Sequence, residues 1–132
     1  MSIDNNKAII RRVFDEALNQ GQLELVDQLF TSDFVDHSTP EQAPGPTGVK
    51  SFFASVRTGF PDIRVTINDI IAEDTRVAVR TTWQGTHMGR YAGNEPTGKR
   101  ISGTLMQIFH LENGQIVEEW NEGSGLEKPL TA

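Results

Sequence analysis

The sequence of 132 residues contains no cysteine, has few positive charges and lacks any long apolar run. The absence of cysteine excludes disulfides, thiolate metal ligands and a cysteine nucleophile. Twelve Lys and Arg residues stand against eighteen Asp and Glu residues, so the formal net charge is −6. Nucleic acids and anionic membrane surfaces both bind through clustered positive charge, so we expect neither as a partner.

Membrane insertion and secretion are also not indicated. No apolar stretch approaches the roughly 18 residues that a membrane-spanning helix needs. The first six residues are polar and do not resemble the apolar segment of a secretion signal. We therefore expect a cytoplasmic protein that forms one domain over residues 1–132.

The first sixty residues carry apolar side chains at helical spacing. Three helices are predicted, over about 4–20, 23–30 and 49–60, with a short extended segment and a Pro-rich loop between the second and third. Asp4 or Asn5 is expected to cap the first helix, and Gly21 to end it. Its apolar stripe consists of Ile9, Ile10, Val13, Phe14, Ala17 and Leu18.

From Pro61 onward the apolar period changes to two, which predicts strands. Four strands are expected, over about 63–73, 77–84, 99–112 and 115–121, with a glycine-rich connection at 85–98. Asn113 and Gly114 predict a hairpin turn between the last two. Helices followed by an antiparallel meander predict an α+β fold.

Several local motifs, in this order and spacing, resemble the SnoaL-like polyketide cyclases. They are Asp33-Phe-Val-Asp-His37, Phe60-Pro61-Asp62, the segment 71–80, Gly85-Thr-His87 with Pro96-Thr-Gly98, and 113–120. The resemblance implies the cone-shaped α+β barrel of the nuclear transport factor 2 superfamily. In that fold three N-terminal helices pack on a curved, mainly antiparallel sheet. It also implies an internal pocket for a small hydrophobic molecule and a homodimer that forms through the sheet.

The resemblance further implies acid–base chemistry with no cofactor and no metal. In the family pattern a histidine on the penultimate strand is followed fourteen residues later by an aspartate, just beyond the final Trp. Here His110 matches the first position, but the second falls on Ser124, which cannot act as a base at neutral pH without help. His110 is therefore the predicted catalytic group, with His37 as a possible partner. His87 is expected to fix the end of a strand.

The register of the last hairpin decides which residues face the pocket. A two-residue turn would pair His110 with Val117, whereas a three-residue loop with a left-handed Gly114 shifts the register by one. We prefer the second register, because it collects large apolar groups with His110 on one face. The predicted substrate-binding residues are Trp83, Met106, Ile108, Trp120 and Ser124, together with Gln107 if the first register holds.

Three functions remain open at this point. The first is an enzyme of the cyclase or isomerase type that acts on an apolar carbonyl compound. The second is a non-catalytic ligand-binding or dimerisation module, which the missing aspartate favours. The third is epoxide hydrolysis by two carboxylates flanking an arginine, for which Asp36, Arg80 and Glu118 are candidates. The histidines have neither HxH nor HExxH spacing, so no metal site is predicted.

Overall fold

The computed structural model describes residues 2–131 and shows a helical layer packed on one face of a sheet. The helices are α1 (Ile3–Arg12), α2 (Val26–Leu29), α3 (Gly45–Gly59) and α4 (Glu127–Thr131); α1 continues as one π-helical segment, Val13–Leu18, and a 3-10 turn, Leu23–Leu25, precedes α2. Within residues 2–131, none of these helices has the length and apolar character needed to cross a bilayer.

The start of α1 differs from the prediction. Ser2, rather than Asp4 or Asn5, is the N-cap: its hydroxyl accepts a hydrogen bond from the Asn5 backbone N–H at 3.0 Å. The extended backbone of Ser2 places its side chain where it can reach the free N–H groups of the first turn. Asp4 lies in that first turn, where its negative charge is favourable near the positive end of the helix dipole.

The sheet has five strands in the order β1-β5-β4-β3-β2 and is open rather than a closed barrel. The strands are β1 (Phe30–Asp36), β2 (Arg64–Glu73), β3 (Arg76–Thr86), β4 (Arg100–Glu112) and β5 (Gln115–Gly123). β1 runs parallel to β5, and all other neighbours are antiparallel. The predicted α+β fold, with helices on a curved and mainly antiparallel sheet, is confirmed.

The apolar stripe of the first helix packs on the inner face of the sheet. Phe14 contacts the rings of Trp83 and Phe109 edge-on, with centroids 6.1 and 6.2 Å apart. Phe14, Trp83 and Phe109 are at most 3% exposed, as are Val77 and Val79 on β3. Burial of this many aromatic and aliphatic side chains supplies the main stabilisation of the layer contact.

The β4–β5 hairpin combines features of both predicted registers. Asn113 and Gly114 form a two-residue turn with φ of 51° and 79°, so that Glu112 pairs with Gln115. An irregularity next to His110 then shifts the register, so that His110 pairs with Glu118 and Ile108 with Trp120. The pairing predicted from a three-residue loop, which would place His110 opposite Ile116, is therefore wrong, but the bulge still places His110, Glu118 and Trp120 on one face.

Candidate active site

A cavity of about 530 Å³ lies between the inner face of the sheet and the helices. Aromatic side chains form part of its wall, and residues of the loops after β1 and β3 and of the segment before α4 also line it. Such a volume suits a small organic molecule. The aromatic lining residues are Phe14, Phe30, Phe52, Phe53, Trp83, Tyr91 and Phe109.

Two carboxyl groups and two amides form one polar cluster in this cavity. Gln107 Nε2 donates to Glu119 Oε2 at 3.1 Å and to Asn121 Oδ1 at 2.7 Å. Asn121 Nδ2 donates in turn to the two carboxylate oxygens of Asp36, at 3.1 and 3.0 Å. The amides therefore connect Glu119 to Asp36, and all four residues line the cavity.

Further hydrogen bonds connect Trp83, in the aromatic wall, to this polar cluster. Trp83 Nε1 donates to Thr81 Oγ1 at 3.0 Å, and this hydroxyl lies 3.4 Å from Gln107 Oε1. The amide groups of Gln107 and Asn121 continue the series, which ends at Asp36. The Thr81 hydroxyl has a second acceptor in the Leu105 carbonyl, at 3.3 Å, so the contact that stabilises negative charge on Asp36 directly is the one from the Asn121 amide.

The electrostatic environment separates the two carboxyl groups. Burial raises the pKa of Glu119 to about 8, and the nearby negative charge of Asp36 acts in the same direction. Burial also raises the pKa of Asp36, but its hydrogen bonds with Ser38 and Asn121 counteract the effect. None of the described residues that line the cavity is Lys, Arg or His, and His37, outside the cavity, makes only the last of the contributions that lower the pKa of Asp36. At neutral pH, Glu119 is therefore mostly a neutral acid, whereas the hydrogen bonds to Asp36 favour the ionised form of that carboxyl group.

The strands and their pairing place this cluster. Asp36 ends β1, and its parallel partner in the sheet is Glu119 on β5. Gln107 on β4 pairs with Asn121 on β5. The hairpin bulge between Ile116 and Glu118 keeps both Ile116 and Glu119 on the inner face, although they are three residues apart.

Of the predicted site residues, Trp83, Gln107 and Ser124 line the cavity. Trp83 forms part of the aromatic wall, and Gln107 lies at the centre of the polar cluster. The Ser124 hydroxyl accepts a hydrogen bond from the Thr104 backbone N–H at 3.1 Å, which ties the segment before α4 to β4.

The prediction that His110 points into the cavity is wrong. Its ring lies on the other face of the sheet, where Nδ1 is 2.8 Å from Glu118 Oε2. Glu118 Oε1 lies 2.8 Å from His37 Nε2, and the His37 ring stacks on Trp120 with centroids 4.9 Å apart. The predicted partner His37 and the predicted wall residue Trp120 are therefore also outside the cavity.

Met106 and Ile108 share this outer face and are 54% and 44% exposed. Their assignment to the substrate pocket is therefore wrong as well. Met106, Ile108, His110 and Trp120 do share a face, as the preferred register predicted, but that face points away from the helices. Since strand side chains alternate, the cavity receives Leu105, Gln107 and Phe109 instead.

The family pattern fits a different pair of residues better than His110 and Ser124. Gln107 and Asn121 are fourteen residues apart, and Asn121 immediately follows Trp120. They meet in the cavity, whereas His110 does not reach it. This chain therefore carries two amides where the pattern has a histidine and an aspartate. The sequence signal for Gln107 and Asn121 was their spacing of fourteen residues together with the preceding Trp120. His110 was assigned instead because the pattern has a histidine.

The arrangement considered for epoxide hydrolysis does not form. Asp36 lines the cavity, but Arg80 pairs with Asp69, Nε to Oδ2 2.6 Å, where both side chains are at least half exposed. Glu118 lies on the outer face between the two histidines. His87 is fully buried against Phe60 beyond the end of β3, as a residue that fixes the strand end would be.

The fold and the cavity define an α+β pocket protein with acid–base groups inside, and comparison with known proteins gives the family. The model of the SnoaL-like polyketide cyclases matches residues 8–124, so the chain belongs to this family.

Similar proteins agree with this assignment. The chain is 26% identical to the nogalonic acid methyl ester cyclase of Streptomyces nogalater over 125 residues, which cover 86% of this chain and 89% of that protein. The structure of TsrD from Streptomyces laurentii is similar in fold, with a TM-score of 0.89 and 22% identity over 98% of this chain and 97% of TsrD. IdmH from Streptomyces antibioticus has a TM-score of 0.77 and 28% identity, over 96% and 99% of the two chains.

Proposed function

We propose that the protein is a small-molecule enzyme of the cyclase or isomerase type that performs acid–base chemistry, without a cofactor, on an apolar carbonyl compound. The observation that carries this proposal is the pair of carboxyl groups in the cavity. Glu119, with a pKa raised to about 8, lies in one hydrogen-bonded cluster with Asp36. Two carboxyl groups whose pKa values differ in one pocket are typical of an acid and a base with separate roles.

In the proposed reaction Asp36 is the base and Glu119 is the acid. The Asp36 carboxylate removes a proton from the carbon next to the substrate carbonyl, while Glu119 donates its proton to the carbonyl oxygen, which gives an enol. In a ring closure, the enol carbon attacks a second carbonyl and Asp36 returns its proton to the new alkoxide. Glu119 regains its proton from the re-formed carbonyl oxygen. Each positioned proton transfer contributes about 10²–10⁴-fold to the rate.

The charge of the cavity restricts the substrate. Asp36, Glu41, Glu119 and Glu127 line it, without a basic side chain among the described lining residues. A free carboxylate on the substrate would be repelled, so an uncharged carbonyl compound such as an ester is expected. The related cyclase of Streptomyces nogalater is named for a methyl ester, which agrees with this expectation.

One observation favours a non-catalytic function, the binding of a hydrophobic ligand. Gln107 and Asn121 occupy the two positions where the family pattern has ionisable groups, and amides cannot transfer protons at neutral pH. Under this alternative the cavity binds ketones but does not accelerate their chemistry. The two functions therefore differ in turnover and not in binding.

We further propose that two copies associate through the outer face of the sheet. Ile71, Ala78, Ile108 and Trp120 are successive cross-strand neighbours on β2, β3, β4 and β5 and form an apolar row across this face. Ile71 is 68% exposed and Ile108 44% exposed in the single chain. An exposed apolar patch of this kind is typical of an interaction surface.

The proposed chemistry can be tested without knowledge of the natural substrate. Enolisation of 2-tetralone in D₂O exchanges the hydrogens next to its carbonyl, and NMR follows this exchange. We expect the protein to accelerate exchange above the buffer rate, and Asp36→Asn and Glu119→Gln each to reduce the acceleration by about 10²-fold. His110→Asn, on the outer face, should leave the rate within about twofold of the unmodified protein.

Two outcomes would contradict the assignment. Binding of 2-tetralone without any accelerated exchange would favour the non-catalytic function. Exchange that is lost in His110→Asn but retained in Glu119→Gln would return the catalytic role to the histidine.

A further inference from the structure

Tyr91 is a buried phenol that lines the cavity and has no assigned role so far. It lies in the connection between β3 and β4, is only 9% exposed, and packs edge-on against Phe60 with centroids 5.2 Å apart. Within residues 2–131, the structure shows no hydrogen-bond partner for its hydroxyl group. The hydroxyl oxygen is not among the fully buried atoms, and because Tyr91 lines the cavity, this oxygen is available to a molecule there.

The backbone around Tyr91 holds the ring in place. The backbone N–H groups of Met88 and Gly89 both donate to the carbonyl of Gly59, at 2.9 and 3.1 Å, which fixes the connection to the end of α3. A Cβ on Gly59 would lie 2.8 Å from the Tyr91 Cβ, and one on Gly89 would lie 2.2 Å from the Thr58 carbonyl oxygen. The two glycines are therefore required for this close approach.

Tyr91 also forms one side of a short turn. Its N–H donates to the Asn94 carbonyl at 3.1 Å, and the Asn94 N–H donates back to the Tyr91 carbonyl at 2.8 Å. The backbone polar groups of the residue are thus satisfied internally. Only the hydroxyl is left without a partner, at the cavity wall.

We infer that the Tyr91 hydroxyl donates a hydrogen bond to a carbonyl oxygen of the bound compound. This inference rests on the proposed function and adds to it a second polar contact, supplied by the β3–β4 connection rather than by β1 and β5. Burial and the negative charge of Glu127 raise the pKa of Tyr91 to about 12, so the phenol keeps its proton near neutral pH and can donate a hydrogen bond. A hydrogen bond to this oxygen strengthens when the carbonyl becomes an enolate.

Two ligands that differ only in the carbonyl group distinguish the hydrogen bond of the Tyr91 hydroxyl from the packing of its ring. The probes are 2-tetralone and its hydrocarbon analogue tetralin, and their dissociation constants are measured by titration calorimetry. We expect the unmodified protein to prefer the ketone, and Tyr91→Phe to reduce this preference by about tenfold while tetralin affinity stays within twofold. Met88→Leu, an exposed change in the same connection, should alter neither affinity.

A second measurement detects the hydrogen bond without the Tyr91→Phe variant. The ¹³C shift of carbonyl-labelled 2-tetralone moves downfield when its oxygen accepts a hydrogen bond. A downfield shift in the bound state that persists in Glu119→Leu, which has no donor at position 119, supports Tyr91 as donor, even if Tyr91→Phe folds poorly. A shift that Glu119→Leu reduces to the value in a hydrocarbon solvent would overturn the inference.

The two proposals fail in different ways. A ketone preference that is unchanged in Tyr91→Phe would overturn the role of Tyr91 and leave the exchange activity, and hence the proposed function, intact. If neither probe binds, the pocket function itself is wrong and the inference falls with it.

Discussion

Glu119 is the residue on which the proposed chemistry of the cavity depends most. It is a carboxyl group only 9% exposed that accepts a hydrogen bond from Gln107 and has the negative Asp36 nearby. Burying an ionised carboxylate without a cation is unfavourable, so the group retains its proton to a higher pH. The same property that makes Glu119 an acid near neutral pH should make the fold sensitive to pH.

We predict that the free energy of unfolding decreases as the pH rises from about 5 to 8. The pKa of Glu119 is about 8 in the folded state, against a reference value of 4.5. Between these values the folded state holds a proton that the unfolded state has released, so stability falls by up to about 1.4 kcal/mol per pH unit. Urea unfolding at several pH values measures this slope.

Two variants test whether Glu119 causes this decrease in unfolding free energy with pH. Glu119→Gln removes the titration and should flatten the decrease, because glutamine remains neutral throughout. Glu122→Gln, an exposed change on the same strand, should leave it unchanged. An equally steep decrease in Glu119→Gln would show that the slope has another origin.

At the scale of the element, β5 contributes side chains to the cavity on one face and to a histidine cluster on the other. Glu119 and Asn121 point into the cavity, while Glu118 and Trp120 point outward. Glu118 connects His37 at the end of β1 to His110 on β4, with both N···O distances at 2.8 Å. These contacts hold β1 and β4 against β5, and these two strands carry Asp36 and Gln107 of the polar cluster.

We predict that Glu118→Ala destabilises the protein by about 1–2 kcal/mol at pH 7, because two hydrogen bonds to a partly buried carboxylate are lost. Hydrogen bonds from the two imidazoles lower the pKa of Glu118, so its contribution is present near neutral pH and is lost as the pH falls below 4.5 and through the lowered value. Chemical unfolding of the unmodified protein and the variant at pH 7 measures the destabilisation, and the same comparison at pH 4 measures how much of it is lost.

Asp69→Ala provides the control for Glu118→Ala. It removes an exposed ion pair with Arg80 in β2 and β3 and should cost less than about 0.5 kcal/mol. An equal loss of unfolding free energy in the two variants would mean that the hydrogen bonds of Glu118 with the histidines stabilise the protein no more than an exposed ion pair does.

At the scale of the whole molecule, the two faces of the sheet differ in their surroundings. The inner face is covered by helices and encloses the cavity, whereas Ile71 and Ile108 in the apolar row on the outer face remain exposed within residues 2–131. The ring of Trp120 in this row lies between His37 and the guanidinium of Arg76, whose Cζ is 5.2 Å from the ring centroid. Association of two copies would bury this row.

We predict that the protein sediments as a dimer at micromolar concentration and that Ile108→Glu shifts it to the monomer, with at least tenfold weaker association. A buried charge without a partner in the apolar row would oppose association. Analytical ultracentrifugation measures the equilibrium. Met88→Glu, at an exposed position of the β3–β4 connection, should leave it unchanged. A monomeric unmodified protein would contradict the proposed dimer.

The sequence by itself determined the elements and the class of fold. The helical stripe through Ile10 and Phe14, the change to period two after Pro61 and the turn at Asn113 and Gly114 all describe local geometry, which depends on neighbours along the chain. Trp83 and Gln107 were also placed in the pocket by sequence, although Gln107 only under the register that was not preferred.

Only the tertiary structure decided which groups face the cavity. One bulge next to His110 reverses the sides of β5, and strand side chains change face with every residue. Asp36 and Glu119 belong to strands that pair in parallel across more than eighty residues of sequence, a contact that no local pattern encodes. The acid–base pair therefore follows from long-range pairing and burial, whereas the architecture that holds it follows from local periodicity.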